Sequence, residues 1–184
     1  RGPILDRALT QLLADVHWGD LDYLLLDLPP GTGDIAMSLG QKVPTAEVLV
    51  VTTPQQAASE VAERAGTMAA LMNQKIIGVV ENMSWLAFTA PDTGKEYRID
   101  LFGSGGGQEA ADALSKRLGT EVPLLAQVPM DIELRKGGDE GDPIVTAHPE
   151  SPAAQAIVEL AKNLDSRPRG LSGMHLGVSP TNNA

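Results

Sequence analysis

Residues 22–34 read DYLLLDLPPGTGD, and this stretch is the strongest indication of the fold class. Its apolar residues run without the alternation of a half-buried strand, so they predict a strand buried on both faces. The acid at position 27 ends that strand, and a turn with two prolines and two glycines follows. In open parallel α/β sheets, ligands bind beyond the carboxyl ends of the strands. Asp27 is therefore a candidate ligand-binding residue.

Buried strands and helices alternate along the rest of the chain. The buried-strand pattern returns in EVLVVTT (47–53), KIIGVVEN (75–82) and VPLLAQVP (122–129). Apolar residues at helical spacing predict helices over 5–16, 34–41, 55–72, 106–118 and 151–164. Such alternation is typical of an α/β domain with a largely parallel sheet flanked by helices. We expect the strands near 21–27, 47–53, 76–81 and 124–128 to lie side by side.

Composition narrows the possible functions. The 184 residues carry a formal charge of -10, from 24 acidic and 14 basic side chains, which disfavours extended binding to nucleic acid. No apolar stretch is long enough to span a bilayer, and no signal-peptide pattern opens the chain, so a cytoplasmic protein with no membrane partner is expected. Cysteine is absent. We predict one domain over residues 1–165 and a mobile tail over 166–184.

A carboxylate at the end of a buried strand is how nucleotide hydrolases hold the magnesium that bridges phosphates. Asp34, in contrast, is read as an ordinary helix cap. The phosphate-binding motif G-x-x-x-x-G-K-[ST] that should accompany Asp27 does not occur in the chain. The glycine cluster FGSGGG (102–107) has no lysine and is interpreted as a flexible entry to the helix that begins near Gly106.

Several motifs together resemble one family. DYLLLDLPPGTGD, VVTTPQ, GVVENMSW, FGSGGG and VPMDIELRKGGDEGDPIV follow one another as in the Mrp/ApbC proteins, which are P-loop ATPases that carry iron-sulfur clusters and are related to MinD and ParA. The resemblance extends from Arg1 to Leu164. In that family the phosphate loop lies upstream of the matched region. The resemblance therefore implies an N-terminally truncated ATPase domain, with ATP and Mg2+ as ligands, that is inactive on its own.

The resemblance also implies roles for individual residues. Asp27 is similar to the acid that orients magnesium, and Gly31 to the switch glycine that faces the γ-phosphate. Asn82 is similar to the asparagine that reads the adenine edge, a task suited to an amide with both a donor and an acceptor. The segment Pro129, Met130 and Asp131 is similar to the family's loop that frames the base and ribose. From the residues alone, Asn82 could equally be a turn residue and Pro129 a strand terminator.

The chain departs from the family pattern after ENMS. Many members carry a C-x-x-C there, with which thiolates from two subunits share a cluster. This chain has no cysteine, so an iron-sulfur cluster implied by the family has no thiolate ligands here. We predict instead a short polar hairpin around Asp92, Thr93 and Gly94 that serves as a partner surface.

Three functions remain open. The first is an ATP-hydrolysing iron-sulfur carrier or assembly factor, a homodimer whose partners are iron-sulfur client or scaffold proteins. The second is a nucleotide-gated scaffold without a cluster of its own. The third is a partition ATPase of the ParA or MinD type, although the acidic composition and the lack of a terminal amphipathic helix speak against it.

Overall fold

The computed structural model describes residues 2–28 and 33–167. The described helices are α1 (Gly2–Ala14), α2 (Gly33–Lys42), α3 (Gln56–Leu71), α4 (Gly106–Leu118), α5 (Ile132–Glu140), α6 (Ile144–Ala147) and α7 (Pro152–Asp165). The described strands are β1 (Val48–Thr52), β2 (Ile76–Thr89), β3 (Glu96–Ile99) and β4 (Leu124–Met130). Of the tail predicted over 166–184, residues 168–184 lie outside the described residues.

The sheet is built around β2. This strand pairs in parallel with β1 on one side and with β4 on the other, so that Val50 lies opposite Val79 and Ala126 opposite Val80. The far end of β2 pairs antiparallel with β3. The prediction of a largely parallel α/β sheet flanked by helices is therefore confirmed.

Each face of the sheet packs against its own helices. Val79 is fully buried and packs with Leu114 of α4 and Ala62 of α3. Val80 packs on the other face with Ala153 and Ala154 of α7. Because neighbouring strand residues point to opposite faces, a strand covered on both sides needs apolar residues in succession. This explains the unbroken run in KIIGVVEN.

The predicted strand at 21–27 is wrong. Residues 21–28 have no regular secondary structure, and the leucines are exposed, with Leu25 at 89%. A buried parallel strand needs ladder partners and a covering layer on each face. Among residues 2–28 and 33–167, the sheet consists of β1 to β4, and segment 21–28 pairs with none of them. The Tyr23 hydroxyl instead donates a hydrogen bond of 2.7 Å to Asp165 Oδ1 at the end of α7.

The predicted hairpin around Asp92, Thr93 and Gly94 is confirmed by the antiparallel pairing of β2 with β3. Phe88 stacks on Tyr97 with ring centroids 5.4 Å apart, and both rings are more than two-fifths exposed. The guanidinium of Arg98 lies 4.1 Å from the ring centroid of Trp85. The aromatic residues of this segment therefore lie on a projecting hairpin and not in the core.

Candidate functional site

The carboxyl ends of β1 and β4 lie along one edge of the sheet beside the middle of β2, because the three strands pair in parallel. Thr52 of β1 pairs with Glu81 of β2, and Asn82 of β2 pairs with Val128 of β4. Pro129, Met130 and Asp131 follow Val128 directly. The structure therefore brings Asn82 and the predicted base-framing loop to the same edge of two adjoining strands. Their roles in binding remain predictions.

Asn82 begins a bulge in β2. Asn82 pairs with Val128 and Leu86 with Met130, so four residue steps on β2 match two on β4. Within the bulge, Met83 has a φ of 56°, a left-handed conformation that non-glycine residues seldom adopt. The Asn82 Oδ1 atom accepts a hydrogen bond of 2.9 Å from the Met83 N–H, and the Ser84 hydroxyl donates one of 2.9 Å to the Glu81 carbonyl. Bulges of this kind re-aim side chains near functional sites.

The predicted base-framing loop begins inside β4, since Pro129 and Met130 are the last two residues of that strand. Pro129 is buried and Met130 half-buried. Asp131 is the N-cap of α5, and its Oδ1 accepts hydrogen bonds from Glu133 N (2.8 Å) and Leu134 N (3.3 Å). Both cap hydrogen bonds go to Oδ1, so the other carboxylate oxygen, Oδ2, takes no part in the cap. Sequence reasoning placed Asp131 in the loop but did not identify its role as a cap.

Asp27 is exposed in the irregular segment 21–28, and Gly31 lies outside the described residues. Within residues 2–28 and 33–167, no group of three or more histidine, cysteine, aspartate or glutamate side chains could hold a metal ion. The metal-binding role of Asp27 stays a prediction.

A cleft of about 350 Å3 opens where β1 ends against α3. Its polar lining comes from Thr52, Thr53 and Asn82, and its apolar lining from Val51 and the alanines of α3 at 58, 62 and 65. This size falls at the lower end of small-ligand sites.

Glu81 was missed by sequence reasoning. Its side chain is buried at 1% exposure in the middle of the sheet. Oε2 accepts a hydrogen bond of 2.6 Å from the Gly107 N–H, and Oε1 accepts one of 2.7 Å from Gln127 Nε2. A carboxylate inside an apolar strand was the available signal, since buried charges are rarely left without partners.

The interpretation of FGSGGG as a flexible entry is wrong for its last two glycines, although α4 begins at Gly106 as predicted. A Cβ at Gly106 would lie 2.4 Å from the Pro54 carbonyl oxygen, and one at Gly107 would lie 2.6 Å from Glu81 Cβ. Both residues are buried. Close packing of the helix start against β1 and β2, rather than flexibility, therefore requires glycine here.

The fold defines the class of the protein: it is an α/β domain with a largely parallel sheet flanked by helices. Residues 1–165 match the ParA family, described as NUBPL iron-transfer P-loop NTPase, and the chain belongs to this family. The resemblance to the Mrp/ApbC proteins is confirmed by curated relatives. The chain is 55% identical over 181 residues to the iron-sulfur cluster carrier protein of Mycobacterium leprae, covering 98% of this chain and 46% of that protein.

A second relative, the iron-sulfur cluster carrier protein of Deinococcus radiodurans, is 49% identical over 164 residues, covering 89% of this chain and 43% of that protein. The chain therefore spans less than half the length of these relatives. Among solved structures, a nucleotide-binding protein of Archaeoglobus fulgidus in complex with ADP is 36% identical with a TM-score of 0.58, covering 76% of this chain and 53% of that one. MinD of Pyrococcus horikoshii, complexed with Mg-ADP, is 25% identical with a TM-score of 0.61, covering 97% and 60%.

Across residues 2–28 and 33–167, no helix has the length and apolar character needed to cross a membrane.

Proposed function

We propose that this chain is the switch and base-binding half of a protein that binds and hydrolyses ATP and carries iron-sulfur clusters to client proteins. The observation that carries the proposal is the family match over residues 1–165, together with the placement of Asn82 and the Pro129–Asp131 loop at one sheet edge. The Asn82 amide would supply a polar contact for adenine, and the segment from Pro129 to Asp131 would supply a wall.

Asp27 and Gly31 are proposed to act on the phosphate side of the site. Magnesium prefers oxygen ligands and usually keeps several waters beside one or two carboxylates, so the exposed carboxylate of Asp27 fits it chemically. Magnesium, when bound, supplies charge stabilisation at the phosphate oxygens. Asp27 would hold and orient the ion, and the Gly31 backbone would approach the γ-phosphate without a Cβ in the way.

The positive half of the site is proposed to lie ahead of Arg1 in the full-length protein. The chain has no G-x-x-x-x-G-K-[ST] motif, and it covers 46% of the Mycobacterium leprae relative. Without the loop amides and lysine of such a motif, the charge of a triphosphate beside Asp27 is not balanced. We also propose that the full-length protein is a homodimer, which light scattering would test.

The proposal is tested by comparing ATP turnover in this chain and in the full-length protein. The isolated chain is expected to release no phosphate above a no-protein control, whereas the full-length protein hydrolyses ATP. In the latter, Asp27→Asn should leave ATP binding largely intact and slow hydrolysis by on the order of a hundredfold. Turnover by the isolated chain that is unaffected by Asp27→Asn would contradict the proposal.

A second candidate is a nucleotide-gated scaffold that carries no cluster of its own. The observation that favours it is the absence of cysteine from all 184 residues, together with the exposed aromatic hairpin formed by β2 and β3. In this case ATP would control the docking of a partner on the hairpin. Iron content of the full-length protein separates the two candidates.

A further inference from the structure

We propose that Glu81 is a positioning residue for base recognition, because its buried carboxylate joins α4 and β4 to the strand position directly before Asn82. The inference rests on the proposed function, in which Asn82 contacts adenine. Glu81 itself touches no ligand. Its effect would be exerted through the backbone that carries Asn82.

The first argument is the set of contacts that Glu81 makes. One carboxylate oxygen accepts from the backbone of Gly107 at 2.6 Å, in the first turn of α4, and the other accepts from the Gln127 side chain of β4 at 2.7 Å. Three elements of the sheet edge therefore meet at a single side chain. The start of a helix favours negative charge, so this location suits a carboxylate.

The second argument is the cost of placing Glu81 there. Burial of a carboxylate is unfavourable unless hydrogen bonds replace its hydration. An apolar residue would fill the same space without this penalty, as Val79 does two positions earlier on the same face. The two hydrogen bonds instead give Glu81 a fixed geometry. Fixed geometry is what a neighbouring recognition residue requires.

The third argument is the backbone that follows Glu81. The Glu81 carbonyl accepts from the Ser84 hydroxyl, and Met83 between them has the left-handed φ of 56°. A non-glycine residue keeps such a conformation only where the surrounding structure holds it. Glu81 anchors one end of this bulge through its side chain and closes it through its carbonyl.

The contacts of Glu81 are expected to affect the orientation of the Asn82 amide. An amide that rotates freely presents its donor and acceptor in either order and discriminates poorly between bases. Here the Met83 N–H donates to Asn82 Oδ1 at 2.9 Å, which fixes the positions of oxygen and nitrogen. A fixed amide matches the donor and acceptor on an adenine edge, whereas guanine offers two acceptors at the corresponding N7 and O6 positions. Loss of the Glu81 contacts should therefore reduce discrimination between ATP and GTP.

The test uses the full-length protein and isothermal titration calorimetry with ATP and with GTP. The unsubstituted protein should prefer ATP, and Glu81→Ala should reduce the ratio of the two affinities by roughly tenfold. Glu81→Gln should keep the ratio within about twofold, because its amide oxygen can accept from Gly107 N while its nitrogen donates to a flipped Gln127 amide. A purely structural role would not change the ratio between two nucleotides that share every phosphate contact.

Two further variants complete the test. Leu114→Ala removes a fully buried side chain from α4 and lowers stability while keeping both Glu81 hydrogen bonds, so the ATP preference should persist. If Glu81→Ala fails to fold, Gln127→Ala takes its place. This variant removes the hydrogen bond from Gln127 to Glu81 and should reduce the preference for ATP over GTP by several-fold.

The outcomes are distinct. An unchanged preference in both Glu81→Ala and Gln127→Ala overturns the inference alone, as does an equal loss in Leu114→Ala. An unsubstituted protein that binds neither nucleotide, or binds both equally, overturns the proposed base recognition and the inference with it.

Discussion

Met83 is a residue whose side chain should matter less than its backbone. Its φ of 56° puts Cβ close to the following carbonyl, which is unfavourable for every residue except glycine and is tolerated best by asparagine and aspartate. The side chain is 41% exposed, so little packing is lost on substitution. The effect of a substitution at position 83 should therefore depend on how well the new residue adopts a positive φ.

Met83→Val should destabilise the fold by about 1 to 2 kcal/mol, because a β-branched residue is poorly accommodated at positive φ. Met83→Asn should remain within about 0.5 kcal/mol of the unsubstituted protein. Urea unfolding followed by circular dichroism measures both. Equal stability of the two variants would mean that the left-handed conformation is not populated in solution.

Gly107→Ala should destabilise the fold by about 1 to 3 kcal/mol, since the added Cβ would lie 2.6 Å from Glu81 Cβ and force α4 away from β2. Gly138→Ala is the matched control. Its Cβ meets nothing within 4 Å, and it lies in α5, so alanine should stabilise the protein by roughly 0.5 to 1 kcal/mol. Thermal unfolding compares the two, and a tolerated Gly107→Ala would show that the close approach of α4 to Glu81 is wrong.

At the scale of elements, the contact between α1 and α2 depends on a charged side chain. The Asp6 carboxylate accepts a hydrogen bond from the Ser38 hydroxyl and lies 3.2 Å from the Lys42 ammonium. The Ser38 hydrogen bond and then the Lys42 hydrogen bond lower the pKa of Asp6 below its ordinary value of 3.8. The ionised form of Asp6 is therefore the one that makes both contacts with α2.

The sign of the pH dependence follows from this lowering. The contact should be fully present above pH 3.8 and should weaken as the pH falls through the lower pKa of the folded state. NMR titration of the Asp6 carboxyl carbon should give a midpoint below 3.8. Ser38→Ala should move that midpoint upward. A midpoint that Ser38→Ala leaves unchanged would show that the hydroxyl does not stabilise the carboxylate.

The elements were largely predictable from the sequence, for a physical reason. Covered strands need unbroken apolar runs, and this pattern located β1, β2 and β4. Helices cover both faces of β2 and β4. In β1 the same run includes Val51, which is 61% exposed. The run at 24–26 has the same pattern but no ladder partner among the described strands, so its leucines are exposed. An apolar run indicates that a segment tends to form a buried strand, whereas the pairing of that strand depends on the rest of the sheet.

The candidate site was predictable only in part. Asp131 follows the end of β4, and Asn82 follows the apolar run of β2, and a single sequence reveals both positions. The contact of Glu81 with Gly107 joins residues 26 positions apart, and its bond to Gln127 joins residues 46 positions apart. Such contacts depend on how α4 packs on the sheet. No local pattern specifies them.

At the scale of the whole molecule, the absence of cysteine should decide how iron is held. Anaerobic reconstitution of the chain with ferrous iron and sulfide should yield far less than one cluster per chain, because no thiolate is available. Iron and acid-labile sulfide analyses measure this. The double variant Ala90→Cys, Thr93→Cys places a C-x-x-C in the turn of the hairpin and serves as the comparison. Stoichiometric iron and sulfide in the unsubstituted chain would require other ligands.

The Arg98 guanidinium over the Trp85 ring makes the fluorescence of Trp85 a probe of the hairpin. The chain has two tryptophans, and Trp18 is exposed near the end of α1, with its ring N–H donating to the Leu12 carbonyl. Trp18→Phe therefore leaves the emission of Trp85 as the only indole signal. Because the Arg98 guanidinium lies 4.1 Å from that ring, any protein that docks on the hairpin and moves Arg98 would change the emission directly. Docking of any partner on this hairpin could then be followed in real time without attaching a dye.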